Sequence, residues 1–204
     1  GQTLGSMRRY AAAGEIESCL RRSLALNAGL YDSADLLSCA LTDRECYDEA
    51  AQVVKDIEGR MPDPSPARGR QAWVRRRRGE HDAAVRDMEA AVTAAPWYGW
   101  GWHVIMAWLE EDQDWVGARR LLKDVPVQMS TNAAFRQRRL ALLGKAGVER
   151  VLLDAEWEDL LRNFPDDASL HAARSESARD AETTVTTGAA SSSWDMPWWL
   201  GWAL

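Results

Sequence analysis

Small or apolar residues recur every 34 positions along this chain, at Ala50, Ala84, Ala118 and Leu152. Each stands near the start of a stretch with helical patterning, and the neighbours of the first three keep the same register. That period accommodates two helices and their turns. One such pair cannot bury its apolar face alone, so pairs must stack on one another. The expected fold is all-α and elongated, with a long surface on which other molecules are held.

The patterning divides into pairs at 3–12 with 15–27, 31–42 with 46–60, 65–78 with 80–95, 98–111 with 114–125, and 132–145 with 148–163. A last segment near 167–179 is expected to cap the stack. Gly14, Gly79 and Gly147 fall between the two helices of their pairs, where a tight turn favours positive φ. Pro62, Pro96, Pro126 and Pro165 follow second helices, where a helix should stop.

Tyr47-Asp48-Glu49-Ala50 followed by Pro62, and Gly79-Glu80-His81-Asp82-Ala83-Ala84 followed by Ala91 and Pro96, carry a recognisable order. Trp102, Trp115 and Ala118 continue it, Gly147 keeps the turn with Leu152 in the small-residue position, and Gly14 with Cys19 makes a weaker first unit. This order resembles the tetratricopeptide repeat (TPR) family over roughly residues 5–165. The resemblance implies a right-handed α-solenoid of about five TPR-like helical hairpins plus a capping helix. Arg68 and Arg75 depart from it, standing where the family favours aromatics.

TPR-like stacks bind partners mainly along the face made by the first helix of each pair. Transferred to this chain, that face contains Asp32, Asp35 and Cys39, then Arg70, Trp73, Arg76 and Arg77, then Trp100, His103 and Ala107, and lastly Gln137 and Arg138. Of these, Arg70, Trp73, Arg77, Trp100, His103 and Arg138 are the expected peptide-binding residues. Arginine grips carboxylates bidentately, and tryptophan offers a broad apolar contact. The lysine and asparagine pattern of chaperone-tail receptors is absent. The run Arg75-Arg76-Arg77-Arg78 also ends a helix, where positive charge suits the dipole, so part of it serves structure; Arg77 is the one expected to face a ligand. Trp102, Trp108 and Trp115 are expected in the core, with Trp97 and Trp100 at the surface. For His103, a hydrogen-bonded structural role competes with ligand contact.

Charge is uneven. Residues 1–64 carry 7 basic and 11 acidic groups, a balance of −4; residues 65–145 carry 14 and 9, or +5; residues 146–204 carry 4 and 11, or −7. A basic middle favours an acidic partner or self-association, while the overall acidity argues against nucleic acid. Cys19, Cys39 and Cys46 lack disulfide-scaffold or zinc spacing, and Cys19 and Cys39 read as small core residues in a reduced, cytoplasmic compartment. No secretory signal is visible and no apolar run is long enough to span a bilayer. His81, His103 and His171 lack a nucleophile partner, and no phosphate loop or metal-ligand spacing occurs. The chain therefore reads as no enzyme, with no cofactor and no metal.

Three regions follow: a helical repeat domain at 1–179, a Thr-, Gly-, Ala- and Ser-rich linker at 180–193, and a Trp-rich segment at 194–204. Trp194, Trp198, Trp199 and Trp202 would make an adhesive patch in water, so they are expected to act as anchors. They would dock on the chain's own stack or a neighbouring copy, on a separate protein, or at a membrane surface; the last is weakened by the absence of Lys and Arg from the segment. The expected function is a non-catalytic scaffold whose Arg/Trp face receives a peptide, its own tail included. The alternative is a regulatory or substrate-positioning TPR module of a larger enzyme system, of glycosyl- or methyltransferase type. A nucleic-acid-binding solenoid ranks third and needs a continuous arginine stripe.

Overall fold

The computed structural model describes residues 2–123, 125, 129 and 131–186, with side chains from 14 to 179 outside the same short gap. Among the described residues the protein is all α, with no strand. The helices are α1 (Gln2–Leu26), α2 (Tyr31–Asp43), α3 (Tyr47–Glu58), α4 (Ser65–Arg77) and α5 (His81–Ala94), followed by α6 (Gly99–Glu111), α7 (Trp115–Leu122), α8 (Ala133–Lys145), α9 (Arg150–Asn163) and α10 (Ala168–Thr186). Each packs on the next in chain order, and α2 also meets α4, α6 meets α8, and α8 meets α10. None of the described helices is long and apolar enough to cross a membrane.

The turns inside the pairs α2–α3, α4–α5, α6–α7 and α8–α9 share one construction. Glu45, Gly79, Gln113 and Gly147 have φ of 62°, 92°, 54° and 72°. At each turn the next residue's N–H returns to the carbonyl of the residue five before it, from Cys46 to Leu41, Glu80 to Arg75, Asp114 to Leu109 and Val148 to Leu143, at 2.9–3.0 Å. A shorter bond closes inside it, as from Gly79 N–H to Arg76 O at 3.0 Å. This is a Schellman C-cap, which satisfies the last carbonyls of a helix by placing one residue left-handed. Only Gly takes that conformation without steric cost. Glu45→Gly and Gln113→Gly should therefore each raise stability by about 1 kcal/mol, read as a higher denaturation midpoint at unchanged slope.

Gly14, by contrast, makes no turn. It lies inside α1, which runs unbroken where two helices were expected, so four pairs flanked by α1 and α10 replace five. A glycine inside a helix costs only about 1 kcal/mol, too little to force a break.

Ala50, Ala84 and Ala118 are fully buried. The fourth unit departs from them: Leu152 is 58% exposed and Leu153 is 8% exposed. The cause is local. One residue separates the left-handed position from the helix in the first three pairs, whereas Val148 and an extended Glu149 (ψ 130°) both precede α9. Every later position on α9 is displaced by one, so Val54, Met88 and Leu122 are followed in the core by Trp157.

The core runs through all the pairs and is thickest at α6, where Gly101, Trp102, Val104, Ile105, Met106, Trp108 and Leu109 are buried. A helix apolar on so many sides must be covered on so many sides. Trp102 and Trp108 lie in this core as expected, Trp115 is half-buried beside it, and Trp97 is exposed. Tyr98 precedes α6 and wedges between α4 and α6; its hydroxyl donates to Pro66 O at 3.2 Å. Gly69 and Gly101 make room for its ring, since a Cβ on either would come within 2.5 Å of it.

Cys19 is exposed on α1, not in the core, because α1, the first helix, packs mainly on α2 and turns that face to solvent. Cys39 and Cys46 are half-buried. α10 continues to Thr186, into the segment read as linker from residue 180, because Asp180-Ala181-Glu182 sustain helix. The remainder of that linker and the anchors Trp194, Trp198, Trp199 and Trp202 lie outside the described residues.

Candidate functional site: the face of the first helices

Helix periodicity brings the candidates together. Arg70, Trp73 and Arg77 follow one another at i, i+3 and i+7 along one side of α4, as Trp100, His103 and Ala107 do along α6. Tyr31, Asp35 and Cys39 do the same at i, i+4 and i+8 on α2, and Arg138 lies on α8.

Arg70 is the hub of this face and is spoken for. Its Nε and Nη2 donate to the two carboxylate oxygens of Asp35 at 2.6 and 2.8 Å. Its guanidinium lies over Trp100 at 4.3 Å and over Trp73 at 5.0 Å. The Tyr31 hydroxyl donates to the same Asp35 at 3.1 Å. Burial opposes the Arg70 charge, yet Asp35 holds its pKa above the ordinary arginine value. The same burial pushes the Cys39 thiol up to about 11. Only 8% exposed, Arg70 joins α2, α4 and α6 as a structural tie, with its bidentate edge spent on Asp35.

The other arginines of α4 divide by how tightly they are held. Arg75 bonds Asp87 at 2.5 Å and Arg78 bonds Asp48 at 2.7 Å. Arg76 is buried over Trp108 and bonds Asp112 and Glu111 at 2.6–2.9 Å. Arg77 alone in the run is loosely held: its side chain is 53% exposed, 3.8 Å from Asp43, and stacked over Trp73 at 5.8 Å. Arg68, the other departure from the repeat pattern, bonds Glu58 at 2.8 Å.

Trp73 is thus covered by Arg70 and Arg77, while Trp100 remains half-buried. His103 is also half-buried, edge-on to Phe135 at 6.3 Å, and forms no hydrogen bond among the described residues. Burial and then the charge of Arg138 hold its imidazole below the usual range, so the ring is neutral at pH 7. Arg138 is 39% exposed and 3.5 Å from Glu110, which makes its shorter bond, 2.6 Å, to Lys145. Two loosely held cations therefore stand beside a floor of Trp73, Trp100 and His103.

No protein-family model matches the chain, and no curated protein matches it. Among the described residues, no group of three His, Cys, Asp or Glu side chains is placed to hold a metal ion. A cleft of about 1060 Å³ opens beside α8 and α9, lined by Phe135, Arg136, Arg139, Glu156, Asp159 and Phe164. Its arginines are committed to Asp159, Glu156 and the Leu122 and Lys123 carbonyls.

The sequence pattern passes over Tyr31 and Asp43, and reads Glu110 as solvated helix charge. Tyr31 was discoverable from its i, i+4 spacing to Asp35. Asp43 and Glu110 face Arg77 and Arg138 only because of how the helices pack.

Proposed function

We propose that the chain is a non-catalytic, right-handed TPR-like solenoid that binds a peptide carrying a carboxylate along the face of its first helices. The four Schellman turns at one spacing, with Ala50, Ala84 and Ala118 buried at one spacing, support the solenoid reading. The binding reading rests on one observation. Of the four arginines that the sequence places on this face, Arg70 and Arg76 are locked, while Arg77, stacked over Trp73, and Arg138, beside the half-buried His103, keep long, exchangeable contacts. A ligand carboxylate can displace Asp43 or Glu110 at small cost, because partly exposed pairs at such distances contribute little. Trp100 supplies the apolar contact, and Arg70 keeps its ring in place.

The test is an array of random peptides, each as free acid and as C-terminal amide, with internal Asp or Glu present or replaced, probed with the full chain. Acidic members should be retained over neutral ones. Arg77→Ala and Arg138→Ala should each weaken them about tenfold, the loss of one charge-assisted contact on a wet surface. Affinity should also rise as pH falls through the range where His103 titrates. Burial and then Arg138 hold its imidazole down in the free protein, and a carboxylate that offsets Arg138 raises it in the complex, so binding is coupled to proton uptake. Retention indifferent to both arginines, or tightening as pH rises, would sink the reading.

A further inference from the structure

A second surface lies on the second helices. Trp115, Val116, Arg119, Arg120 and Lys123 of α7 and its end, with Ala146 of the α8–α9 turn, line a groove of about 370 Å³. Val116 is 81% exposed, and Val151 at the start of α9 is 77% exposed beside the exposed Leu152. Arg119 and Lys123 have no acidic partner among the described residues, whereas Arg120 is held by Glu89. Water thus meets the apolar wall of a groove, Trp115, Val116 and Ala146, bordered by two cations with no acidic partner among the described residues, an arrangement that marks an interaction surface.

The course of α10 indicates what covers it. Arg174 of α10 bonds Asp154, near the start of α9, at 2.6 Å, while the His171 ring meets Pro165 O, just past the end of α9, at 2.9 Å. α10 therefore runs antiparallel to α9. From Arg174 it continues to Thr186, about 18 Å of helix at 1.5 Å per residue, and so passes the first turn of α9. The chain leaves α10 at the end of the stack where Val151, Ala146 and Val116 lie. From residue 187 to Trp194 it reaches up to about 25 Å more, which spans neighbouring helices.

The geometry points to this groove as the dock for the chain's own Trp-rich segment, residues 194–204 of the same copy. Trp194, Trp198, Trp199 and Trp202 have the apolar area the groove lacks, and Asp195 is the one ionisable side chain between 187 and 204, matching Arg119 and Lys123. The reading is independent of the peptide face: a tail seated on the second helices leaves Trp100, Arg77 and Arg138 open to a separate ligand.

The test uses the full chain with a photoreactive benzoylphenylalanine in place of Val116, and separately in place of Ala107 on the first-helix face. After irradiation, the adduct from position 116 should map to 194–204 at the mass of one chain, at least tenfold more abundant than any from position 107. Predominant adduct from position 107 would make the tail the ligand of the other face and overturn the inference. So would adducts at twice the chain mass, or none with the tail. As a second measure, Val116→Asp with Val151→Asp changes only exposed side chains. In 5-fluorotryptophan protein it should increase broadening of the tail resonances by a soluble gadolinium chelate at least threefold; unchanged broadening would also overturn the inference.

Discussion

Asp35→Ala is expected to cost about 3 kcal/mol, toward the lower end of what breaking a buried ion pair costs, because the Asp35 side chain keeps 20% of its exposure. The loss comes less from the missing attraction than from what remains. Arg70 would stay under Trp73 and Trp100 with no counter-ion, and the Tyr31 hydroxyl would lose its acceptor. Urea denaturation of the two proteins measures it. Asp35→Leu combined with Arg70→Met should recover most of the loss, since a packed apolar pair avoids the desolvation cost of two charges. A single-variant cost below about 1 kcal/mol would show that Arg70 finds water, and that the tie between α2, α4 and α6 is weaker than its geometry implies.

Tyr98→Ala should be comparably severe, about 3–5 kcal/mol, as for other large buried aromatics. Its ring fills space that Gly69 and Gly101 leave open on two helices, and its hydroxyl satisfies the Pro66 carbonyl. Truncation leaves a void between helices that cannot easily close, because Tyr98 sits in a short connection fixed by Trp102 Nε1 donating to Pro96 O at 3.1 Å. Tyr98→Phe, which keeps the ring, should cost only about 1 kcal/mol. Gly101→Ala approaches the same contact from the other side. Its Cβ would meet the Tyr98 ring at 2.5 Å and Val92 at 2.7 Å, and that crowding should outweigh the gain in helix propensity of about 1 kcal/mol. Thermal or urea midpoints of the three variants test the wedge together.

Much of the helix layout is legible in the sequence. Gly79 and Gly147 mark their turns, and Pro62, Pro96 and Pro165 follow the ends of α3, α5 and α9. Gly14 misled because glycine permits a left-handed residue without demanding one. Glu45 and Gln113 were passed over for the converse reason, although stepping 34 residues from Gly79 in either direction lands on both. The same register holds Ser38, Ala72, Met106 and Leu140 buried on the first helices, a set too varied in chemistry to stand out by residue type. The slip at Leu152 rests on one extended residue, Glu149, and periodicity alone does not report a single insertion.

By itself, then, the sequence determined that this chain is helical, where most of its turns fall, and which arginines and tryptophans come to one side of their helices. Those properties follow from local rules, the 3.6-residue turn and the conformational range of Gly and Pro. Tertiary structure alone decided which of those arginines are free. Arg70 and Arg77 share a face of one helix, yet Arg70 is sealed by Asp35 and Trp100 from two other helices, while Arg77, stacked on Trp73 of its own helix, pairs loosely with Asp43 at 3.8 Å. The charge of Arg70 is committed, and that of Arg77 available, according to partners distant in the chain, and the distance to those partners is a property of packing.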